Sequence, residues 1–303
     1  MRNFLCVLKI FAIIFAIIGF LSFGLTVFNP VYFYTLLQID TELVSSFGTF
    51  FGGYVGTIFS ILSVILLIYT INIQSNEKRK DEIRNNFFRM LDYHNENVKQ
   101  LKVSHIDTKK DEKSEGRRAF VIFRIQMRKL IELVHEINDE NDYNLPNSDI
   151  AGMTYMFFYY GLDNGWRDFI DEKIAIYPNH SEFAQKTLDK INRNPSLKLG
   201  RTNQTSLSSY FRNMYNAIKL VDESKALSKD EKKDLIKIYR SQLSNPELYI
   251  LFINLMPQFG KKWKEKGYIT KYEFIKNLPK NYCDRCDPKK YFPMTYEYED
   301  LKN

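Results

Sequence analysis

Two long apolar stretches near the start of the chain constrain its fold more than any other feature. Residues 4–28 contain one charged side chain, Lys9, and residues 48–73 contain none. Each stretch exceeds the roughly 20 apolar residues that a helix needs to cross a bilayer core. Backbone polar groups in lipid must be satisfied within the segment, which a helix achieves. The sequence therefore predicts a transmembrane hairpin over residues 1–75, with spans at 4–28 and 48–73.

The charges around these stretches predict an orientation. Arg2 and Lys9 accompany the first stretch, and basic residues follow the second at 78–84, whereas the connection 29–47 holds no Lys or Arg. Basic residues remain on the cytoplasmic side of bacterial and other membranes. No small-residue cleavage site follows the first stretch, which favours an uncleaved anchor over a signal peptide. We expect a two-pass protein with both termini in the cytoplasm.

Three glycines in the second stretch suggest close helix packing. Gly48, Gly52 and Gly56 are spaced by four, so they lie on one helix face, where small residues let two helices approach. The partner is either the first span or a second copy of the chain, and we expect a homo-oligomer. Residues 4–28 and 48–73 contain no Asp, Glu, His or Arg, which argues against an ion pathway through the two helices.

The remaining residues, 76–303, form a different kind of region. They carry the whole formal net charge of +7, and the mean hydropathy of the full chain, −0.34, excludes a polytopic transporter. Apolar residues recur every three or four positions, as in amphipathic helices. The clearest stripes are Ile83, Phe87, Met90, Leu91, His94, Val98 and Leu101; Phe120, Phe123, Met127, Leu130, Ile131, Val134 and Ile137; and Leu207, Tyr210, Phe211, Met214, Tyr215, Ile218 and Val221.

Helix start signals agree with these stripes. Capping-box patterns occur at Ser228–Glu231, Ser244–Glu247 and Thr270–Glu273, and Pro246 suits a first helical turn. Alternating strand patterns are absent. The predicted fold class is all-α: an N-terminal two-helix transmembrane hairpin followed by an α-helical cytoplasmic domain of seven to nine helices.

The pair Arg89 and His94 fits the R-x4-H pattern found in helical ribonucleases that resemble the HEPN superfamily. Histidine titrates near neutrality and suits general acid–base catalysis. His94 also falls on an apolar stripe, so a buried structural histidine is the competing interpretation. A looser pair, Arg128 and His135, has Glu132 between them, which indicates a surface ion pair.

Other catalytic and metal signatures are weak. Cys283 and Cys286 form a lone C-x-x-C pair, and zinc needs four ligands. The sequence has no phosphate-binding glycine loop and no nucleophile elbow. We therefore expect no cofactor, and the sequence favours a binding protein; if the chain is an enzyme, a ribonuclease is the class that remains open.

A basic surface is the clearest candidate binding site. It consists of Arg193, Lys198, Arg201, Arg212, Asn216 and Lys219. Such a surface can receive phosphate from nucleic acid or from anionic lipid, and an ordinary solvated helix face is the alternative.

Three stretches resemble one known family. The resemblance is to the phage abortive infection proteins, the AbiC-like family. It covers residues 86–98, directly after the apolar stretches, residues 207–215 followed by Lys219 and Asp222, and residues 239–248 followed by 251–254. Pro246 departs from the family pattern, in which the residue before Glu247 is more often aromatic. The resemblance implies antiviral defence in the bacterial inner membrane, in which an infected cell is stopped before phage release. It implies no catalytic mechanism and no active site.

Three functions follow from these observations. The first is a membrane-anchored sensor and effector that acts by binding and oligomerisation, with a phage protein or nucleic acid as trigger and anionic lipid as a further partner. The second is a membrane-tethered HEPN-like ribonuclease that uses Arg89 and His94. The third is a membrane scaffold without a role in defence.

Overall fold

The computed structural model divides the chain into two compact units, Met1–Asn76 and Glu77–Asn303. It describes residues 13–14, 17–18, 20–21, 41–104, 113–162, 165, 167–194, 199–283 and 285–300. Apart from six positions, the predicted first span at 4–28 lies outside the described residues. The two-helix hairpin therefore stays a prediction.

The first unit contains most of helix α1, Thr41–Lys99, which also contributes residues 77–99 to the second unit. Within the described residues, α1 is the one helix long and apolar enough to cross a membrane, with a mean hydropathy of 2.2 over a window that is not buried. The hydroxyls of Thr49, Ser60 and Ser63 each donate to the carbonyl four residues earlier at 2.8 Å. These bonds satisfy the hydroxyls within the helix, as an apolar environment requires.

Helix α1 is longer than the predicted span at both ends. Its described part already includes Thr41, seven residues before Gly48, and continues past Ile73 without a break. Residues 74–99 contain no Pro or Gly and are rich in Glu, Lys, Arg and Asn, so nothing interrupts the helix. Among the described residues, no atom lies within 4 Å of a Cβ added at Gly48, Gly52 or Gly56. The three glycines are therefore exposed on α1, and their packing partner stays a prediction.

The second unit is mostly helical, which confirms the all-α fold class. Its described elements are β1 Lys102–Ser104, β2 Lys113–Glu115, α2 Arg117–Glu140, α3 Asn147–Tyr160, α4 Arg167–Ile174, α5 His180–Arg193, α6 Gln204–Glu223, α7 Lys229–Ser241, α8 Asn245–Asn254, α9 Lys261–Glu265, α10 Tyr268–Lys271, α11 Pro288–Tyr291 and α12 Glu297–Asp300. Short 3₁₀ turns lie at Gln258–Gly260 and Lys280–Tyr282.

One small sheet was not predicted. Strands β1 and β2 pair antiparallel, with Val103 opposite Ser114. Three residues per strand are too few to show an alternating pattern, which is why the sequence indicated none.

The core surrounds α2. This helix packs against α3, α5 and α8 and buries the stripe that includes Phe120, Phe123 and Val134. The predicted stripes on α1 and α6 are also buried or half-buried along their length. Burial removes these large apolar side chains from water. Each one stabilises the folded state by about 1.5–3 kcal/mol before the loss of conformational entropy is subtracted.

Two of the three predicted capping boxes are present. Ser228 caps α7 with Glu231, and Ser244 caps α8 with Glu247 and with Pro246 in the first turn. The third prediction is wrong, because Thr270 lies inside α10, which begins after Gly267, and Glu273 has a positive φ of 49°. A left-handed residue ends the helix there and cannot lie in its first turn.

The cap of α7 gives a first testable prediction. The Ser228 hydroxyl accepts from the Glu231 amide at 3.2 Å, and the Glu231 carboxylate accepts from the Ser228 amide at 2.7 Å. Ser228→Ala is expected to lower the free energy of unfolding by about 1 kcal/mol, because the Glu231 amide loses its side-chain acceptor. Chemical unfolding of the full chain measures this loss. Ser228→Asp is the control and should stay close to wild type; equal losses in both variants would contradict the capping role.

Candidate functional site

A buried polar cluster joins α1, α6, α7 and α8. It consists of His94, Tyr210, Tyr239 and Glu247, and none of the four side chains is accessible to solvent. The Tyr210 hydroxyl donates to the Glu247 carboxylate at 3.2 Å, and the Tyr239 hydroxyl lies 2.8 Å from His94 Nδ1. Buried polar groups need such partners because water cannot reach them.

The cluster holds a neutral histidine beside a carboxylate. His94 Nε2 lies 3.8 Å from Glu247 Oε1, too far for a hydrogen bond. Burial, together with the positive charge of Arg117, lowers the pKa of His94 to about 4. At neutral pH the contact with Glu247 is therefore not an ion pair. Burial and the nearby Glu247 carboxylate raise the pKa of both Tyr210 and Tyr239 well above the usual range, so both keep their hydroxyl protons.

Glu247 also completes the start of α8. Its Oε2 accepts from the Ser244 amide at 2.8 Å and from the Ser244 hydroxyl at 2.5 Å. The carboxylate thus serves the α8 cap through one oxygen and Tyr210 through the other. This arrangement links the start of one helix to the middle of another.

The ribonuclease candidates Arg89 and His94 are not brought together. Arg89 is exposed, whereas His94 is fully buried. Five residues along a helix correspond to a rotation of about 500°, which leaves the two side chains about 140° apart around the axis. The rings of Tyr210 and Tyr239 cover His94 at 4.7 and 5.0 Å between centroids. The geometry favours the structural interpretation of His94.

The three stretches that resemble the AbiC-like family meet in this cluster. Residues 86–98 contribute His94, residues 207–215 contribute Tyr210, and residues 239–248 contribute Tyr239 and Glu247. Segments far apart in sequence therefore supply one buried network.

An open cleft of about 630 Å³ lies on the other side of α6. Five of its lining residues carry aromatic rings: Tyr159, Phe211, Tyr215, Phe259 and Trp263. We call it the aromatic cleft. Tyr215 and Trp263 meet edge to face at 5.4 Å, and Tyr159 and Phe259 meet at 4.9 Å. Its size falls within the usual range for small-molecule sites.

Three cations line the same cleft. Arg212 and Lys219 come from α6 and Lys262 from α9, and among the described residues no Asp or Glu lines it. Arg212 is held by Ser208, through its backbone carbonyl and its hydroxyl, each at 3.2 Å. Lys219 lies 4.0 Å from Glu223, a loose and largely exposed pair. The cleft therefore combines aromatic surface with positive charge.

A close backbone approach places Lys262 and Trp263 at the cleft. A Cβ on Gly260 would lie 2.0 Å from the carbonyl oxygen of Leu255, so no side chain fits there. The chain can then turn tightly after α8, through the 3₁₀ turn, into α9. This turn brings Trp263 against Tyr215 of α6 and Phe259 against Tyr159 of α3.

The structure divides the predicted basic surface. Arg212, Asn216 and Lys219 line the aromatic cleft, whereas Arg201 lines a separate cleft of about 590 Å³. Arg193 is exposed in the last turn of α5, and Lys198 lies outside the described residues. The six residues predicted as one surface thus do not line one site.

Sequence reasoning missed the aromatic half of the cleft. Tyr159 comes from α3, and Phe259 and Trp263 come from a segment after α8. The run Gln258–Trp263 interleaves aromatic and basic residues, a composition typical of nucleic-acid and nucleotide binding, and this was the available signal.

The C-x-x-C pair lines a smaller cavity of about 270 Å³. Burial raises the pKa of Cys286 to about 11, so this thiol stays protonated, and its Sγ lies 3.5 Å from the Asn147 carbonyl oxygen. Across the described part of the chain, no group of three His, Cys, Asp or Glu side chains is arranged to hold a metal. Nearby, Arg128 and Glu132 form the expected ion pair at 3.5 Å, and His135 is buried.

Helix α6 connects the cleft to α1. Its Asn213 side chain donates to the Met90 carbonyl of α1 at 2.7 Å, and its Tyr210 ring contacts His94. Its Arg212, Asn216 and Lys219 face the cleft. Helix α1 also contacts α7, because the Arg84 guanidinium lies 2.8 Å from the Glu231 carboxylate.

Within the described residues, fold and site together define a helical protein with one helix long and apolar enough to cross a membrane and a cationic, aromatic cleft. Residues 202–283 match the family described as "Putative phage abortive infection protein" (putAbiC). The matched segment contains α6 to α10, which supply most of the cleft and three members of the buried polar cluster. The match confirms the resemblance to the AbiC-like family. No curated protein and no solved structure matches the chain.

Proposed function

We propose that this chain is a membrane-anchored bacterial anti-phage defence protein that acts by binding. The family match over residues 202–283 supports the defence role. The observation that carries the binding role is the aromatic cleft, because Arg212, Lys219 and Lys262 meet there beside five rings. An anionic ligand produced or exposed during infection occupies this cleft and activates the protein.

The output passes through α1 and through oligomerisation. Helix α6 contacts the ligand with one face and Met90 and His94 of α1 with another. A ligand that binds one arrangement of α6 more tightly shifts the protein toward that arrangement. The exposed glycines at 48, 52 and 56 provide the face for self-association in the membrane.

The membrane anchor is a two-pass hairpin with both termini in the cytoplasm. The length and hydropathy of α1 support one span, and the apolar residues 4–28 support the other. The basic residues on both flanks support the orientation, since the connection between the spans has none.

Phage plating tests the proposal. Cells expressing wild type, Arg212→Gln/Lys219→Gln/Lys262→Gln or Lys229→Gln/Lys233→Gln/Lys237→Gln are infected at matched protein abundance. The second triple removes the same charge from an exposed face of α7 away from the cleft. We expect the cleft triple to lose protection to the level of an empty vector and the α7 triple to retain it. Equal protection by both triples contradicts a role for the cleft.

A chain lacking residues 1–75 tests the anchor in the same assay. It is expected to lose protection, because the proposed output requires the membrane. Protection by this truncated chain would contradict the membrane-linked mechanism.

The ribonuclease alternative has less support from the geometry, since Arg89 and His94 point to different sides of α1. Arg89→Ala and His94→Asn are expected to keep protection; asparagine retains an acceptor near the position of Nδ1 for Tyr239. Loss of protection in both variants at normal abundance, with cleavage of cellular RNA in cells that express the wild type, would support the ribonuclease alternative. A scaffold without a defence role predicts that wild type leaves phage plating unchanged.

A further inference from the structure

We infer that the ligand of the aromatic cleft is a nucleotide, with its base against the rings and its phosphate against Arg212, Lys219 and Lys262. The inference rests on the proposed function in taking this cleft as the ligand site. It adds the chemical class of the ligand. Aromatic surface, positive charge and hydrogen-bonding amides meet there in one cavity, and a nucleotide has a matching group for each.

The rings offer a surface for a flat aromatic group. Tyr215 and Phe259 are only half-buried, although each contacts further rings, Tyr215 with Trp263 and Phe259 with Tyr159. Rings held by other rings lose little freedom when a base stacks on them. Every nucleobase has a π face, so this surface binds bases without requiring one sequence.

The cations offer a place for phosphate. Arg212 is positioned by its two bonds to Ser208, and its guanidinium suits bidentate contact with phosphate oxygens. Lys219 is paired with Glu223 only at 4.0 Å, with both side chains about half-exposed, so a phosphate can replace that partner. Since no described acidic residue lines the cleft, its lining carries a net positive charge that attracts an anion.

Amide side chains supply the remaining contacts. Gln204, Asn216 and Asn254 line the cleft. Asn254 is buried, and its amide nitrogen donates to the Tyr155 hydroxyl at 2.7 Å, which fixes the orientation of the group. Amides in a fixed orientation present both donors and acceptors to the edge of a base.

The volume fits one nucleotide rather than a large ligand. The cleft holds about 630 Å³, within the range of pockets that enclose small molecules. An anionic lipid headgroup would use the cations and leave the rings without a matching group. The rings therefore favour a nucleotide, and lipid binding becomes an outcome of the test.

The test measures binding to the purified full chain in detergent micelles. The chain has two tryptophans, so Trp166→Phe leaves Trp263 in the cleft as the fluorescent reporter. The probes are AMP, GMP, CMP and UMP, with adenosine and inorganic phosphate as the separated halves. At least one monophosphate is expected to change Trp263 fluorescence with saturation, and each half to bind at least about tenfold more weakly.

Variants assign the two halves of the site. Arg212→Gln/Lys219→Gln/Lys262→Gln is expected to weaken nucleotide binding by at least about tenfold and to remove most of its salt dependence. Phe259→Leu, which keeps an apolar side chain, is expected to weaken nucleotide binding by about tenfold and to leave phosphate binding unchanged. Lys229→Gln/Lys233→Gln/Lys237→Gln is the matched control and should bind as wild type does.

Three outcomes overturn the inference. The first is that none of the four monophosphates binds. The second is that inorganic phosphate binds as tightly as the best of them. The third is that phosphatidylglycerol vesicles bind through the three cations, without any effect of Phe259→Leu, while nucleotides do not compete.

A five-nucleotide single-stranded RNA distinguishes the sources of the nucleotide. Tighter binding than the monophosphate supports a nucleotide that belongs to a strand, and equal or weaker binding supports a free nucleotide. The test also separates this inference from the proposed function. If the cleft triple loses protection but no nucleotide binds, the inference fails and the proposed function stands. If nucleotides bind but protection does not depend on the cleft, the proposed function fails and the inference stands.

Discussion

Glu247→Ala is expected to lower the free energy of unfolding of the unit Glu77–Asn303 by about 4 kcal/mol. The carboxylate is fully buried and accepts from the Tyr210 hydroxyl and from two groups of Ser244. Alanine leaves the Tyr210 hydroxyl without its partner in a region that water does not reach. It also leaves the amide of the half-buried Ser244 without its acceptor. It also removes the cap of α8, the helix that packs against α2.

The measurement is thermal unfolding of the full chain, followed by near-ultraviolet circular dichroism of the buried tyrosines. Glu247→Gln is the matched control, because its amide oxygen can still accept from Ser244. We expect Glu247→Gln to lower the free energy of unfolding by less than half as much as Glu247→Ala does. A loss below about 0.5 kcal/mol for Glu247→Ala, the usual size at an exposed site, would show that the cluster does not stabilise the fold.

Lowering the pH from 7 to 4 is expected to reduce stability by about 3 kcal/mol through His94 alone. Burial, reinforced by Arg117, lowers its pKa from 6.5 in the unfolded chain to about 4 in the folded protein. Between pH 6.5 and pH 4, His94 is mostly protonated in the unfolded chain and mostly neutral in the folded chain. Stability contributed by neutral His94 is therefore complete above pH 6.5 and falls progressively toward pH 4.

His94→Asn isolates this contribution. Other groups also titrate in the window, among them the buried His135, whose pKa is lowered by burial and by Arg285. The comparison is therefore the difference between wild type and variant at each pH, measured by chemical unfolding. Wild type is expected to lose its stability advantage as the pH falls from 6.5 to 4. A constant difference across the window would mean that His94 is not kept neutral by the fold.

Much of the helical fold could be predicted because its signals are local. The stripes on α1, α2 and α6 repeat every three or four residues, and the Ser228 and Ser244 caps are read within four positions. The third cap failed because Thr270 and Glu273 match the pattern in a segment where α10 had already begun. A four-residue pattern does not show whether a helix has already begun before its first residue.

The candidate site was predicted only in part, for a similar reason. Arg212, Asn216 and Lys219 repeat on one helix face, so the sequence places them together. Tyr159 and Trp263 reach the same cleft from other elements, and only the tertiary fold brings them there. Arg89 and His94 show the converse case, since these residues are close in sequence but lie on different sides of their helix.

Helix α6 lies between the aromatic cleft and α1. Any coupling between ligand binding in the cleft and the contact with α1 therefore acts in both directions. If a ligand in the cleft favours one arrangement of α6 against Met90, then a change in α1 that favours the same arrangement must raise ligand affinity by an equal factor. Substitutions at Asn213, which touches α1 but does not line the cleft, would then alter the ligand concentration at which the protein responds. Sensitivity to the trigger can thus be adjusted without changing any residue that binds it.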